Sequence, residues 1–217
     1  MSGKETAKRY ILFIVGLFFI ALGIAFTKHG ELGVSPISSV ANILNIRFPQ
    51  ISMGNWLFIW NCVLILGQIL ILRKNFKLIQ LLQLPLSLLF GWFTDFGMWC
   101  VSFIPVSFYG MRLVMVIIGV VVLAFGICLS VIANVIMNSG EAIVKAISDV
   151  LKKNFGDIKV IFDVSCVALS IILSLIFFDF KIEGTREGTI IAAFCVGFVV
   201  KWFSKRLTVP VEKILKK

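Results

Sequence analysis

Six long apolar stretches constrain the fold of this chain more than any other feature of its sequence. A helix that crosses a bilayer needs about 20 consecutive, mostly apolar residues. Such stretches occur at Tyr10–Thr27, Gly54–Leu72, Leu78–Gly97, Arg112–Asn134, Ile158–Phe178 and Gly188–Phe203. Hydrophobic residues fill 59% of the 217 positions and charged residues only 15%, which is too apolar a mixture for a soluble domain. We therefore predict an all-α, polytopic transmembrane helical bundle with six spans, forming a single domain over residues 1–217.

The basic residues predict how this bundle is oriented. Lysine and arginine concentrate in the cytoplasmic loops of membrane proteins. With the N-terminus in the cytoplasm, sixteen of the 21 Lys and Arg residues lie on the cytoplasmic side, and the opposite orientation inverts that ratio. We expect both termini to be cytoplasmic, with a basic tail over 204–217, in a multi-pass protein of the cell (plasma) membrane. Orientation and attraction to the lipid bilayer account for the net charge of +10, so nucleic acid is not an expected partner.

A glycine-rich pattern recurs in the two halves of the chain. The sequence G-x4-A-x-G-I occurs at Gly16–Ile24 and again at Gly119–Ile127. We interpret this as an internal duplication, with the first repeat at about residues 10–97 and the second at about 112–203. Because each repeat has three spans, the second copy must cross the membrane in the opposite sense. Inverted repeats of this kind are a recurring transporter design, with the solute site near the repeat interface.

A short, more polar segment follows each glycine pattern, over residues 33–44 and 138–151. In the first segment, Ser35 before Pro36 predicts the start of a helix. In the second, Asn138 is the corresponding helix-starting residue. Two structures fit these segments. They are either re-entrant half-helices whose N-termini point at a solute, or amphipathic helices that lie in the membrane interface.

The candidate substrate-binding residues are polar or helix-starting positions of the two segments and two aligned positions in the spans that follow. They are Ser35, Pro36, Ser38, Ser39, Asn42, Asn61, Ser139, Gly140, Glu141, Lys145, Asp149 and Asp163. A charge inside a bilayer is costly and is a functional candidate by default. Asp163 is therefore either a proton or cation site, or a headgroup-level partner of Lys159 one helical turn earlier. Asn61 is its counterpart in the first repeat, and as a neutral amide it can also bond a neighbouring helix.

The sequence contains no recognisable set of catalytic or metal-binding residues. There is one histidine, His29, and the five cysteines are scattered without a C-x-x-C pair. No phosphate-binding glycine loop is present. We expect no enzymatic activity, no catalytic residues, no metal and no cofactor, so transport energy would come from an ion gradient or a partner ATPase.

Three short motifs resemble those of the YczE/YyaS/YitT family of bacterial integral membrane proteins. They are Gly33–Pro36 (G-V-S-P), the Ser139–Gly140 pair and Glu187–Thr189 (E-G-T). The resemblance covers about residues 10–205 and implies a polytopic membrane protein. Members of that family often carry an aromatic residue and a carboxylate after the proline, where this chain has Ile37–Ser38. The chemistry of that segment is therefore not carried over.

These observations predict a membrane transporter or permease for a small polar solute or ion. One alternative is a membrane-embedded substrate-binding subunit that hands a solute to a separate ATPase module. Another is a non-transporting scaffold or regulatory protein of the membrane. The expected partners are the lipid bilayer and the solute, and the sequence leaves open a homo-oligomer or an ATPase module.

Overall fold

The computed structural model describes residues 3–216, and that part of the chain is built from eight α-helices. They are α1 (Gly3–His29), α2 (Pro36–Arg47), α3 (Met53–Leu72), α4 (Gln83–Val101), α5 (Tyr109–Ala133), α6 (Ser139–Leu151), α7 (Phe155–Phe177) and α8 (Glu187–Lys216). Two 3-10 helices, Arg73–Asn75 and Leu78–Leu82, connect α3 to α4. Of the eight α-helices, all except α2 and α6 belong to segments that are long and apolar enough to cross a bilayer. The prediction of an all-helical membrane protein with six long apolar helices is confirmed.

The helix ends differ from the sequence-based boundaries at both extremes of the chain. Helix α1 begins at Gly3, ahead of the expected start at Tyr10. Helix α8 continues through Pro210 to Lys216, so the described part of the expected tail at 204–217 is helical. Hydropathy windows exclude these basic turns, whereas the backbone hydrogen bonds of a helix do not depend on hydropathy. The last residue of that tail lies outside the described range.

Helices α1 and α5 form the centre of the bundle and run antiparallel. Gly16 lies against Gly126, and Gly23 lies against Gly119. A methyl group on Gly126 would lie only 2.6 Å from the Gly16 carbonyl oxygen, so the two backbones approach as closely as glycine permits. Small residues at such crossings allow the close van der Waals packing that holds membrane helices together.

The other long helices flank this pair. Helix α4 packs against α1, α8 against α5, and α3 against α4. Gly54 and Gly91 are in contact where α3 meets α4. The Asp95 carboxylate caps the start of α3, because it accepts hydrogen bonds from Ser52 Oγ (2.6 Å) and from the Gly54 N–H (2.7 Å). In the described residues, α7 and α8 lack packing comparable to that between α3 and α4.

We name the two ends of the bundle after residues of α1. The His29 end holds the end of α1 and the starts of α3, α5 and α8. At the opposite Arg9 end, the Arg9 guanidinium donates to the carbonyl oxygens of Ile132 and Ala133, both at 3.3 Å, where α5 ends.

The two short helices are packed inside the bundle. Helix α2 lies against α7 and α3, and α6 lies against α3 and α7. The first turn of α2 reaches Cys166, the midpoint of α7, where Ser39 Oγ donates to the Cys166 carbonyl oxygen at 3.4 Å. The N-terminal turns of α2 and α6 meet, since a Cβ atom on Gly140 would lie 2.9 Å from Ile37 Cδ1. Both helices therefore begin within the protein rather than on its surface.

Candidate functional site

A polar cavity of about 400 Å³ opens at the His29 end of the bundle. Its wall comprises the end of α1, the loop to α2, the second half of α2, Met98 of α4, the start of α5 and the loop before α8. The ionisable side chains in this wall are Lys28, His29, Glu31, Arg112, Glu183 and Arg186. The volume falls within the range of about 300–1,000 Å³ that is usual for small-molecule sites.

Asn42 connects three parts of the cavity wall. Its side-chain oxygen accepts a hydrogen bond from Lys28 Nζ at 2.7 Å, and its Nδ2 group donates to the Gly184 carbonyl oxygen at 2.9 Å. Asn42 is buried, with 4% of its surface exposed. These bonds hold the Lys28 ammonium group at the wall of the cavity.

Two ion pairs involve the arginines of the same cavity. Arg112 Nη1 lies 2.8 Å from Glu31 Oε2, and Arg186 Nε lies 3.4 Å from Glu187 Oε2. Glu31 adopts a φ angle of 55°, a left-handed conformation that is uncommon for residues other than glycine. The turn after α1 therefore has an unfavourable backbone geometry at the residue that pairs with Arg112.

The region where the short helices meet is polar but nearly filled. Ser35 and Ser38 exchange a hydrogen bond at 3.0 Å, and Ser139 Oγ lies 3.2 Å from Ser87 Oγ. The Gln68 amide donates to the Ser139 carbonyl oxygen at 3.2 Å. A pocket of about 10 Å³ next to Ser139 holds no more than about one water molecule.

A cluster of three charged side chains lies where α6 meets α7. Lys159 Nζ donates to both carboxylate oxygens of Asp163, at 2.5 and 2.6 Å. The half-buried Glu141 carboxyl interacts electrostatically with both residues. Burial raises the pKa of Glu141 above its ordinary value, and the Lys159 ammonium group opposes this rise while the Asp163 carboxylate adds to it.

The residues predicted from the sequence fall into separate places. Asn42 lines the cavity, whereas Ser35, Pro36, Ser38, Ser39, Ser139 and Gly140 belong to the two N-terminal turns that meet inside the bundle. Glu141 and Asp163 belong to the charged cluster, and Asn61 is buried on α3. Lys145 and Asp149 form an ion pair at 2.6 Å on the exposed side of α6, with about half of each side chain exposed.

Two parts of the arrangement did not emerge from the sequence. The cavity charges lie at the ends of helices, where sequence analysis assigns lysine and arginine to the membrane interface. Gln68, fully buried, forms a reciprocal amide pair with Gln83 at 3.1 Å in both directions. A single glutamine within an apolar span indicates a hydrogen bond of this kind to a neighbouring helix.

We expect Glu141→Gln to stabilise the protein at about pH 8 and to lose this advantage as the pH falls. Folding raises the pKa of Glu141. When the pH is above this raised pKa, the ionised side chain lowers the free energy of unfolding. That cost disappears below the ordinary glutamate pKa of about 4.3, where both states are protonated. Thermal unfolding of both proteins in one detergent, over about pH 4 to 8, measures the difference. Asp149→Asn, at an exposed carboxylate on the same helix, is the control, and a pH-independent difference for Glu141→Gln contradicts the prediction.

Comparison with known proteins identifies a family but no characterised relative. No curated protein sequence and no solved structure matches the chain significantly. A family model described as "Family of unknown function (DUF6198)" matches residues 7–205, which include all of the residues of the cavity, the meeting point of the short helices and the charged cluster. The chain therefore belongs to the DUF6198 family.

Proposed function

We propose that this protein is a transporter or permease that moves a small polar solute or ion across the cell membrane, with both termini in the cytoplasm. In this proposal, the six long helices form two inverted repeats, at about residues 10–97 and 112–203. Helices α2 and α6 are re-entrant half-helices that enter the membrane from opposite sides. The observation that carries the proposal is the meeting of their N-terminal turns, at Ile37 and Gly140, inside the bundle.

The packing of the long helices supports inverted repeats. If α1–α4 correspond in order to α5–α8, each packing pair should have a counterpart after the halves are exchanged. Helix α1 packs on α4 as α5 packs on α8, and α2 packs on α7 as α6 packs on α3. Exchanging the two repeats also converts the contact between Gly16 and Gly126 into the contact between Gly119 and Gly23. The α3–α4 pair departs from this pattern, and so do the smaller contacts of α8 with α1 and α2, since their counterparts lack comparable packing in the described residues.

The short helices fit the same relation. The glycine patterns at Gly16 and Gly119 define the offset between the repeats, and Ile37 and Gly140 are separated by the same offset. Their contact therefore lies where a two-fold axis relating the repeats would pass. Transporters with inverted repeats commonly bind their solutes at such an axis, near the N-termini of broken helices.

The large cavity at the His29 end and the nearly filled centre support a transport cycle. The His29 end has a cavity of about 400 Å³, whereas the pocket at the start of α6 has only about 10 Å³. In alternating access, a central site opens to one side of the membrane at a time. The structure fits a state that is open at the His29 end, which the distribution of basic residues assigns to the outside.

The resemblance to the YczE/YyaS/YitT family remains part of the proposal. It covers about residues 10–205, nearly the same part of the chain as the DUF6198 match. It supplies no substrate, so the solute must be identified from the chemistry of the site.

Two-sided accessibility of Ser38 tests the proposal without knowledge of the solute. Ser38 lies next to the meeting point of the short helices, and only 4% of its surface is exposed. We would introduce Ser38→Cys into a protein whose five cysteines are replaced by alanine. A small, membrane-impermeant methanethiosulfonate would be added to right-side-out and to inside-out vesicles. A transporter that exposes its centre alternately should be labelled from both sides.

One-sided controls determine how the result is interpreted. Lys181→Cys lies in the exposed loop before α8 at the His29 end, and Lys74→Cys lies in the exposed 3-10 helix Arg73–Asn75 at the Arg9 end. Each should be labelled from one side only, and from opposite sides. Labelling of Ser38→Cys from a single side would favour a substrate-binding subunit. Absence of labelling from both sides would favour a scaffold, and either outcome would overturn the transport proposal.

A further inference from the structure

We propose that the cavity at the His29 end binds the carboxylate of a small organic anion at Lys28. This inference rests on the proposed function, because it names the chemical class of the solute. It is drawn from the charges of the cavity wall and from the environment of one side chain. The anionic group would contact Lys28 Nζ, and the remainder of the solute would occupy the cavity.

Lys28 differs from the other strong cations of the cavity in having no carboxylate partner. Arg112 is paired with Glu31 and Arg186 with Glu187. Within residues 3–216, no carboxylate oxygen lies within 4 Å of Lys28 Nζ. Its hydrogen bond goes to the neutral amide oxygen of Asn42. The ammonium group is therefore held in place at the cavity wall with its charge uncompensated by any close anion of the protein.

Lys28 is half-buried, and an ammonium group that is partly withdrawn from water is stabilised by an opposite charge beside it. The Asn42 amide supplies one dipole, and its Nδ2 group is already bonded to Gly184. Glu31 and Glu187 pair with the two arginines of the wall, so Lys28 keeps a positive charge that no close carboxylate compensates. A ligand with one carboxylate compensates this charge, and the bond to Asn42 leaves the other two ammonium protons free to donate.

The size of the cavity favours an organic anion over an inorganic one. A volume of about 400 Å³ is within the range of sites for organic ligands and far exceeds the space that a halide ion occupies. Glu31 and Glu183 lie in the same wall, so an ammonium group elsewhere on the solute would also find a partner. The predicted class is thus small carboxylates, including zwitterions such as amino acids.

Binding to the purified full-length protein tests the inference. Sodium propionate, sodium succinate and sodium glutamate would be titrated at constant ionic strength, with sodium chloride and propionamide as comparison compounds. Thermal unfolding in detergent reports binding, because a ligand of the folded state raises the apparent Tm. We expect a saturable rise with at least one carboxylate and none with propionamide or chloride. We expect Lys28→Met to weaken the binding of that carboxylate at least tenfold. Lys181→Met, at an exposed lysine outside the cavity, should leave the affinity unchanged.

Three outcomes would overturn the inference. In the first, none of the carboxylates gives a saturable shift beyond that of chloride. In the second, Lys28→Met binds as the unaltered protein does. In the third, phosphatidylglycerol alone produces the Lys28-dependent shift and abolishes that of the carboxylates, which would identify a lipid headgroup as the anion.

The two proposals can fail separately. Lys28-dependent carboxylate binding, together with labelling of Ser38→Cys from one side only, would leave the inference standing and remove the transport function. Two-sided labelling without carboxylate binding would do the reverse.

Discussion

Gly126→Ala is expected to destabilise the protein by about 3 kcal/mol, at the upper end of the range for overpacked interiors. The new Cβ atom would lie 2.5 Å from the backbone nitrogen of Ile20 and 2.6 Å from the carbonyl oxygen of Gly16. Both are backbone atoms, so no side-chain rotation relieves the contact, and α1 must move away from α5. Because this pair forms the centre of the bundle, we expect a large fall in the apparent Tm of the purified protein in detergent.

Gly197→Ala is the matched control for this prediction. Gly197 lies within α8, and a Cβ atom there would have no atom within 4 Å. The same addition of one methyl group should therefore cost no stability, and it should stabilise the protein by up to about 1 kcal/mol because alanine favours the helix more than glycine does. Equal shifts for the two variants would mean that the close approach of α1 and α5 is not what holds the centre together.

The number of spans could be predicted from the sequence, but their ends could not. A membrane forces every spanning helix to carry its own apolar surface, and hydropathy reports that surface directly. The end of a helix depends on contacts that hydropathy does not record. Hydropathy excludes Arg9 from the first span, but helix α1 includes it. The Arg9 guanidinium is accommodated because it pairs with Glu5 at 2.9 Å and also donates to carbonyl groups at the end of α5.

The positions at which helices start could be predicted from the sequence better than the hydrogen bonds made there. Ser35 is the N-cap residue of α2 and Pro36 opens the helix, as the sequence indicates. The Ser35 hydroxyl, however, bonds the hydroxyl of Ser38 and makes no side-chain cap bond to the helix backbone. A sequence pattern specifies which position starts a helix, whereas competition among nearby polar groups decides the bond.

The cavity was predicted least completely, because it is formed by residues far apart in the chain. The sequence indicates Asn42 as a candidate from its place on a short helix. Its bond to Lys28 and its contact with Gly184 arise only when α1, α2 and the loop before α8 come together. Lys145 illustrates the opposite error of local reasoning. It lies on the polar side of the same short helix as Glu141, but this part of the helix surface is exposed.

Lys159→Met should destabilise the protein by about 2 kcal/mol, between the values for exposed and for buried ion pairs, because the pair is half-buried. Lys159 and Asp163 expose only 29% and 23% of their side chains. Without the ammonium group, Asp163 loses both of its hydrogen bonds to Lys159 while the Glu141 carboxyl stays close by. Two neighbouring carboxyl groups would then share an apolar environment without a cation. The apparent Tm in detergent at about pH 7 measures the effect.

The chain offers a closely matched control, because Lys145 and Asp149 have the same spacing and a similar distance of 2.6 Å. That pair is about half exposed, so Lys145→Met should cost only about 0.3–0.5 kcal/mol. Adding Asp163→Asn to Lys159→Met should restore most of the lost stability, since the uncompensated carboxylate is removed. If Lys159→Met and Lys145→Met shift the Tm equally, or if Asp163→Asn gives no rescue, the charged cluster is solvated like the outer face of α6. In that case, Glu141 and Asp163 would be ordinary solvated carboxylates and would no longer be candidate binding residues.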